Sequence, residues 1–195
     1  MRAGACERSR AAKAARPAAA QRGVTLIEIL TAVTILAILT VVAAPSFDAV
    51  RNRARLRGVA DNLYADLQYA RSEAVQRNST VSVSFSPGSA WCYGIHQGAA
   101  ACDCTVANSC SIKTVSSTDA PNVTLADASF SAGGAGVARY LIDPRRGQSV
   151  DAAGAAVTGT VQFTLGSLQM NAEVNAVGRA RLCSPSGTVT GYPSC

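Results

Sequence analysis

The sequence predicts an α+β chain, a long N-terminal helix followed by a small, disulfide-stapled β domain. Three observations carry this. From Val24 the text runs VTLIEILTAVTILAILTVVAA, apolar almost without break up to Pro45. From there to Asn78 apolar residues recur mostly at intervals of three or four, the helical period. Beyond Asn78 the period becomes two, as in TVSVSF, and six cysteines are spread from Cys92 to Cys195.

Residues 1–23 form a basic leader. They hold Arg2, Arg8, Arg10, Lys13, Arg16 and Arg22 against Glu7 alone, so most of the formal charge of +6 sits there. The remainder is nearly neutral, and any basic binding surface on it must be a local cluster. Rich in Ala and Arg and without apolar periodicity, the leader reads as a targeting segment outside the fold.

Residues 24–44 follow as a transmembrane helix. At a rise of about 1.5 Å per residue the run is long enough to cross a bilayer core of about 30 Å. Basic residues before it keep the leader in the cytoplasm and send the rest of the chain outward. A secretory signal cut near Ala43-Ala44-Pro45 is the plainer alternative. The apolar run exceeds the usual signal core of about 7–15 residues, however, and it contains Glu28. An unpaired carboxylate there costs roughly 2.5–3.5 kcal/mol, so Glu28 is expected to have a partner.

Residues 45–78 continue as an amphipathic helix whose apolar face is read as Phe47, Val50, Ala54, Leu63, Leu67, Ala70 and Ala74. Arg51, Arg53, Arg55 and Arg57 lie on its polar face, facing solvent, a neighbouring subunit, or lipid phosphates just outside the membrane. Asp66, near Tyr69 and Arg71, reads as part of a solvated charged surface.

Residues 79–195 make the β domain. Candidate strands are 80–86, 91–96, 111–115, 122–125, 137–142, 160–166, 168–174 and 179–183, separated by loops such as SAGGAG and DAAGAAVTG. VQFTL and LQMNAEV around Gly166-Ser167 are the clearest hairpin. With Cys6 set aside in the leader, an even number of cysteines remains in an exported domain, which implies a disulfide framework. Pairing between neighbours is expected: Cys92 with Cys102, Cys104 with Cys110, Cys183 with Cys195. The alternative is a zinc site from Cys102, Cys104, Cys110 and His96, against which stands the lack of paired C-x-x-C knuckles.

RGVTLIEILTAVTILAILTVVAAPS resembles the class III signal sequence of type IV pilins and type II secretion pseudopilins. The resemblance implies that prepilin peptidase cuts after Gly23 and that the new N-terminal residue, Val24, is methylated; the family more often has Phe there. Glu28 then falls at the family's glutamate position and Pro45 at its helix-interrupting proline. A cleaved chain carries an amine on Val24 that Glu28 of a neighbouring subunit can neutralise. Pro45 removes one helix hydrogen bond, which makes it either a bend used in subunit packing or an ordinary kink.

RLRGVADNLYADLQYARSEAVQRNSTVSVSF narrows the resemblance to the GspH/FimT family of minor pilins and pseudopilins. That family implies the N-terminal helix packed on antiparallel β sheets. Gly178-Arg179-Ala180-Arg181 is similar to the GRxR motif of its FimT-type members, which implies DNA binding for natural transformation. Arginines at i and i+2 of an extended segment share one side and can engage adjacent phosphates, without regard to base sequence and weakening with salt. A Cys183–Cys195 bridge holds the tail beside them, and Arg139, Arg145 and Arg146 extend the patch if the fold brings them near. The competing reading is four residues of ordinary surface strand.

No enzyme is expected. One histidine, His96, and no G-x-S-x-G, P-loop or dinucleotide signature leave catalysis without its usual parts, and no cofactor is implied. His96 is expected to pack beside Trp91 and Tyr93, while Trp91, Tyr140 and Tyr192 are either core residues or platforms for stacked bases. The chain thus reads as a minor type IV pilin-like subunit of the bacterial inner membrane, single-pass with a periplasmic C-terminal domain, later in a pilus or pseudopilus. Its implied partners are other pilins or pseudopilins, prepilin peptidase and DNA. The alternative is a type II secretion pseudopilin that acts in protein export without DNA binding.

Overall fold

The structure, a computed structural model, describes residues 23–131, 138–185, 187 and 189–195, without the side chains of residues 42–46. Residues 1–22 of the leader, with Cys6, most of the SAGGAG loop, Val137 and the side chain of Pro45 lie outside the described residues. Two units divide between Ala44 and Pro45.

One helix, α1, runs Leu26–Gln76. Thr25 opens it, its hydroxyl and carbonyl oxygens lying 3.4 and 3.1 Å from the Glu28 amide nitrogen that donates to them. Inside the apolar stretch the hydroxyls of Thr31 and Thr40 donate to the carbonyls of Glu28 and Ala37, and that of Thr34 to those of Leu30 and Thr31. These threonines are satisfied by their own helix and leave its surface apolar. At the far end Asn78, at φ 46°, lets Ser79 N–H reach Ala74 O and Asn78 N–H reach Val75 O, the Schellman pattern.

Among the described residues no helix is long and apolar enough to cross a membrane, and the span expected over 24–44 lies partly outside them.

The β domain has two antiparallel sheets. The first has strand order β3-β2-β1-β5-β6, formed by β1 (Val81–Ser86), β2 (Cys92–Gln97), β3 (Lys113–Ser116), β5 (Arg139–Ile142) and β6 (Ser149–Val150). The second has order β4-β7-β8-β9, formed by β4 (Thr124–Ser131), β7 (Thr158–Leu165), β8 (Leu168–Val174) and β9 (Ala180–Cys183). The β7–β8 hairpin closes at Leu165 and Leu168 with Gly166 at φ 60°, as a primed two-residue turn requires. Two short pieces escaped the alternation: β6 and a 3-10 turn at Ser117–Asp119.

A single core joins the second half of α1 to both sheets. Leu56, Ala60, Leu63, Ala70 and Ala74 are fully buried. Phe85 of β1 stacks on Phe130 of β4 at 5.5 Å, and Trp91 meets Phe163 of β7 edge-on at 5.4 Å, its indole N–H donating to Val123 O at 2.8 Å.

The expected apolar face of α1 divides in two. Leu63, Leu67, Ala70 and Ala74 are buried as read, but Phe47 and Val50 are 68% and 58% exposed and Ala54 is exposed as well. Nine residues separate Ala54 from Leu63, two and a half turns at about 100° per residue, so the two groups occupy opposite faces. Spacing alone had merged them.

Asp66 is likewise not solvated: it is buried and accepts from Tyr93 Oη at 2.8 Å and Lys113 Nζ at 2.6 Å, tying α1 to β2 and β3. Burial and this neighbour push the Tyr93 phenol far above its ordinary value.

The disulfides are Cys92–Cys104, Cys102–Cys110 and Cys183–Cys195. Neighbour pairing thus fails for the first four cysteines and describes the last two. Cys92 and Gly94 share the outer side of β2, and the loop that follows folds back over it, so Cys92 meets the loop's middle instead of its start. Gly94 makes the room: a Cβ there would lie 2.1 Å from Cys110 Sγ and 2.8 Å from Cys102 Sγ. Ser82, on the same outer side of β1, donates to Ala100 O at 2.7 Å and seals the loop down. With Cys102, Cys104 and Cys110 oxidised, no thiolate is left for the zinc alternative.

Candidate functional site

Two surfaces carry the candidate residues. The first is the start of α1. Gly23 and Val24 are exposed and precede the helix, so the expected cleavage point lies in accessible chain outside it. Every side chain described from Val24 to Val41 is exposed, including Leu26 at 80%, with Glu28 the only ionisable group among them. Apolar residues cover the helix all round instead of in a stripe, which in water is stable only when something else covers it. Glu28 occupies the first turn, where a carboxylate also suits the helix dipole.

The second surface is the turn between β8 and β9. Asn175 O accepts from Gly178 N–H at 2.9 Å, and Asn175 Oδ1 accepts from Arg179 N–H at 2.8 Å, which shapes the turn and sets Arg179 just before the strand. Gly178 has φ 76°, and a Cβ on it would lie 2.0 Å from Gly147 O. A Cβ on Gly147 would in turn lie 2.7 Å from Arg71 Nε. The glycine of Gly178-Arg179-Ala180-Arg181 is therefore demanded by backbone shape and close approach. Through Gly147 it meets Arg71 of the ARSEA stretch, so the two stretches that resembled family motifs are neighbours.

Arg179 and Arg181 are exposed and line one open groove of about 800 Å³ with Asp127, Ser129, Thr160 and Glu173. Glu173 Oε2 lies 2.7 Å from both Nε and Nη2 of Arg181. The groove is thus of mixed charge, and one of its two cations is already engaged. Arg145 and Arg146 do not extend it; they line a separate cavity beside Asp143 and Asp151. Glu173 and Asp127 gave no signal in the sequence, since strand register brings them to the groove, Glu173 opposite Arg181 and Asp127 opposite Gln162.

The aromatic candidates also resolve. Trp91 and Tyr140 are core residues, 1% and 3% exposed, so neither can stack on a base. Burial drives the Tyr140 phenol well above its ordinary value. Tyr192 packs 5.9 Å from the Arg57 guanidinium and donates to Asp61 Oδ1 at 2.9 Å; burial, then that carboxylate, raises its phenol. Arg57 also donates to the carbonyl and hydroxyl of Thr190, so this member of the arginine run clamps the C-terminal tail instead of facing solvent. His96 turns to the outer side of β2, away from Trp91 and Tyr93, and its Nδ1 accepts from Ser111 N–H at 3.3 Å. Glu173, Cys183 and Cys195 come close enough together to suggest a metal site, but the two sulfurs are bonded to each other and offer no thiolate.

An exposed apolar helix joined to a small two-sheet domain defines the class of pilin-like structural subunits, and comparison with known proteins names the family. The profile of the type II transport protein GspH family matches residues 59–178, more than half of the chain, and the prokaryotic N-terminal methylation motif matches residues 19–44. The chain belongs to the GspH family of minor pilin-like and pseudopilin subunits. Among solved structures it is similar to two crystal forms of the type IV minor pilin FimU from Pseudomonas aeruginosa. Identity is 21% in both; TM-scores are 0.47 and 0.44, with 67% and 65% of this chain and 89% and 91% of those chains covered. No curated protein matches.

Proposed function

We propose that this chain is a non-catalytic subunit assembled through its N-terminal helix into a pilus or pseudopilus, after insertion in the inner membrane and cleavage by prepilin peptidase between Gly23 and Val24. The observation that carries the reading is the all-round apolar exposure of Leu26–Val41 with one carboxylate, Glu28, near its start. Before assembly, lipid covers that surface and the β domain lies on the periplasmic side. In the filament, helices of neighbouring pilins or pseudopilins cover it, and Glu28 answers the amine of an adjacent, methylated Val24. Sequencing and mass measurement of the chain from cells with and without prepilin peptidase test this. Support is a methylated Val24 terminus only when the peptidase is present; an intact leader, or a cut near Ala43–Pro45, overturns it.

A second function is favoured by one observation: Arg179 and Arg181 are exposed in the same groove. We propose that they contact DNA phosphates, as uptake in natural transformation needs. Glu173 must release Arg181 for both to engage, which predicts weak binding that falls steeply with salt. Binding of duplex and single-stranded DNA by the detergent-solubilised chain, compared with Arg179→Ala/Arg181→Ala, tests it. Absence of low-salt binding overturns the DNA role and favours a secretion pseudopilin, leaving the assembly reading intact.

A further inference from the structure

The helix carries a second amphipathic segment that faces away from the β domain. At about 100° per residue, Phe47, Val50 and Ala54 fall within a stripe about 60° wide, opposite the buried stripe of Leu56, Leu63 and Leu67. All three are exposed. Arg51 and Arg55 flank this stripe on one side and Arg53 on the other, and among the described residues none of the three is in an ion pair. Arg57 is excluded from this set because it holds the C-terminal tail.

An apolar stripe bordered on both sides by arginines is the pattern of a helix lying at a lipid interface. The apolar residues enter the headgroup boundary, and the long arginine stems let guanidinium groups spread sideways to phosphates, which they bind bidentately. The segment begins six residues after Val41, the last described residue of the exposed apolar run. A neighbouring subunit fits less well, because both borders then need acidic partners, whereas a bilayer surface offers phosphate on every side.

We propose that Phe47, Val50, Arg51, Arg53 and Arg55 form a collar that binds anionic phospholipid headgroups at the outer surface of the membrane and holds the subunit there before assembly. This rests on the membrane-inserted reading above. The collar must let go when the subunit enters a filament, so its hold is electrostatic and reversible, of a size set by the few charges involved.

The test uses the full chain reconstituted in vesicles containing brominated lipids, with Trp emission as the readout; the native Trp91 is buried in the β domain and serves as a constant background. Leu30→Trp reports insertion, and Phe47→Trp reports the collar. Support is quenching of Leu30→Trp in all vesicles together with quenching of Phe47→Trp that rises about twofold when phosphatidylglycerol is added to phosphatidylcholine. That rise must vanish in Arg51→Gln/Arg53→Gln and in about 1 M salt, where screening acts within about 3 Å. Quenching of Phe47→Trp that ignores lipid charge overturns the collar alone. Unquenched Leu30→Trp overturns the collar and the insertion reading together.

Discussion

The two ends of α1 differ in how their apolar residues are distributed and in what covers them. From Leu26 to Val41 the side chains are apolar on every face and exposed on every face. From Leu56 to Ala74 they are apolar on one face only, and that face is fully inside the core. The second stretch finds its partner in its own chain, so substitutions in it are stability changes. The first finds none among the described residues, so under the proposed assembly substitutions in it should change association. On the proposed reading the same helix divides folding from assembly, and that division can be tested from both sides.

The largest effect is expected at the exposed end. Glu28→Ala should abolish incorporation into filaments while the β domain unfolds at the same denaturant concentration as wild type; a pull-down of sheared filaments reads the first and denaturation the second. A destabilised β domain in that variant would erase the distinction. At the buried end, Leu63→Ala should cost about 2–5 kcal/mol in denaturation of the oxidised chain, by transfer and cavity terms together. It should not change partitioning into vesicles.

Next comes the sheet face that the disulfide loop covers. Gly94→Ala should cost about 1–3 kcal/mol and make Cys102–Cys110 easier to reduce, because the added methyl overlaps both sulfurs. Thiol titration after mild reduction reads this, and a bridge as resistant as in wild type would show that the loop can shift away.

The smallest effect is expected on the flank of α1, where exposed Tyr69 meets buried Glu73. The Tyr69 hydroxyl donates to Glu73 Oε1 at 2.6 Å, and this bond, with Arg77 nearby, holds the Glu73 carboxyl below its ordinary value. A lowered carboxylate stabilises the fold above the unfolded value of about 4.3, and the contribution is lost as pH falls through the lower folded value. Tyr69→Phe should therefore weaken the protein slightly near pH 7 and leave it unchanged near pH 2. Equal loss at both pH values would assign the effect to packing.

Much of this fold was legible because it rests on local periods. Helix α1, its stop at Asn78 and the hairpin at Gly166-Ser167 are written within short windows, where propensity and turn chemistry act alone. What was not legible involved partners far apart in sequence. Asp66 looks like a surface acid until β2 and β3 bring Tyr93 and Lys113 to it, and Arg57 looks like one of four solvated arginines until the tail brings Thr190 and Tyr192 back. In the candidate site, Arg179 and Arg181 could be named from the GRxR motif they resemble. Their pairing with Glu173 could not, since it depends on how β8 registers with β9.

The amino-acid sequence by itself determined the order of helix and strands, the apolar start with its one carboxylate and the even set of cysteines, because each depends on residue type and short spacing. Only the tertiary structure decided which face of α1 is inside, which cysteines pair and which arginine is free. Those outcomes depend on helical phase accumulated over many residues and on contacts closed across long loops, where a shift of one residue rotates a helix side chain by about 100° or turns a strand side chain to the opposite face.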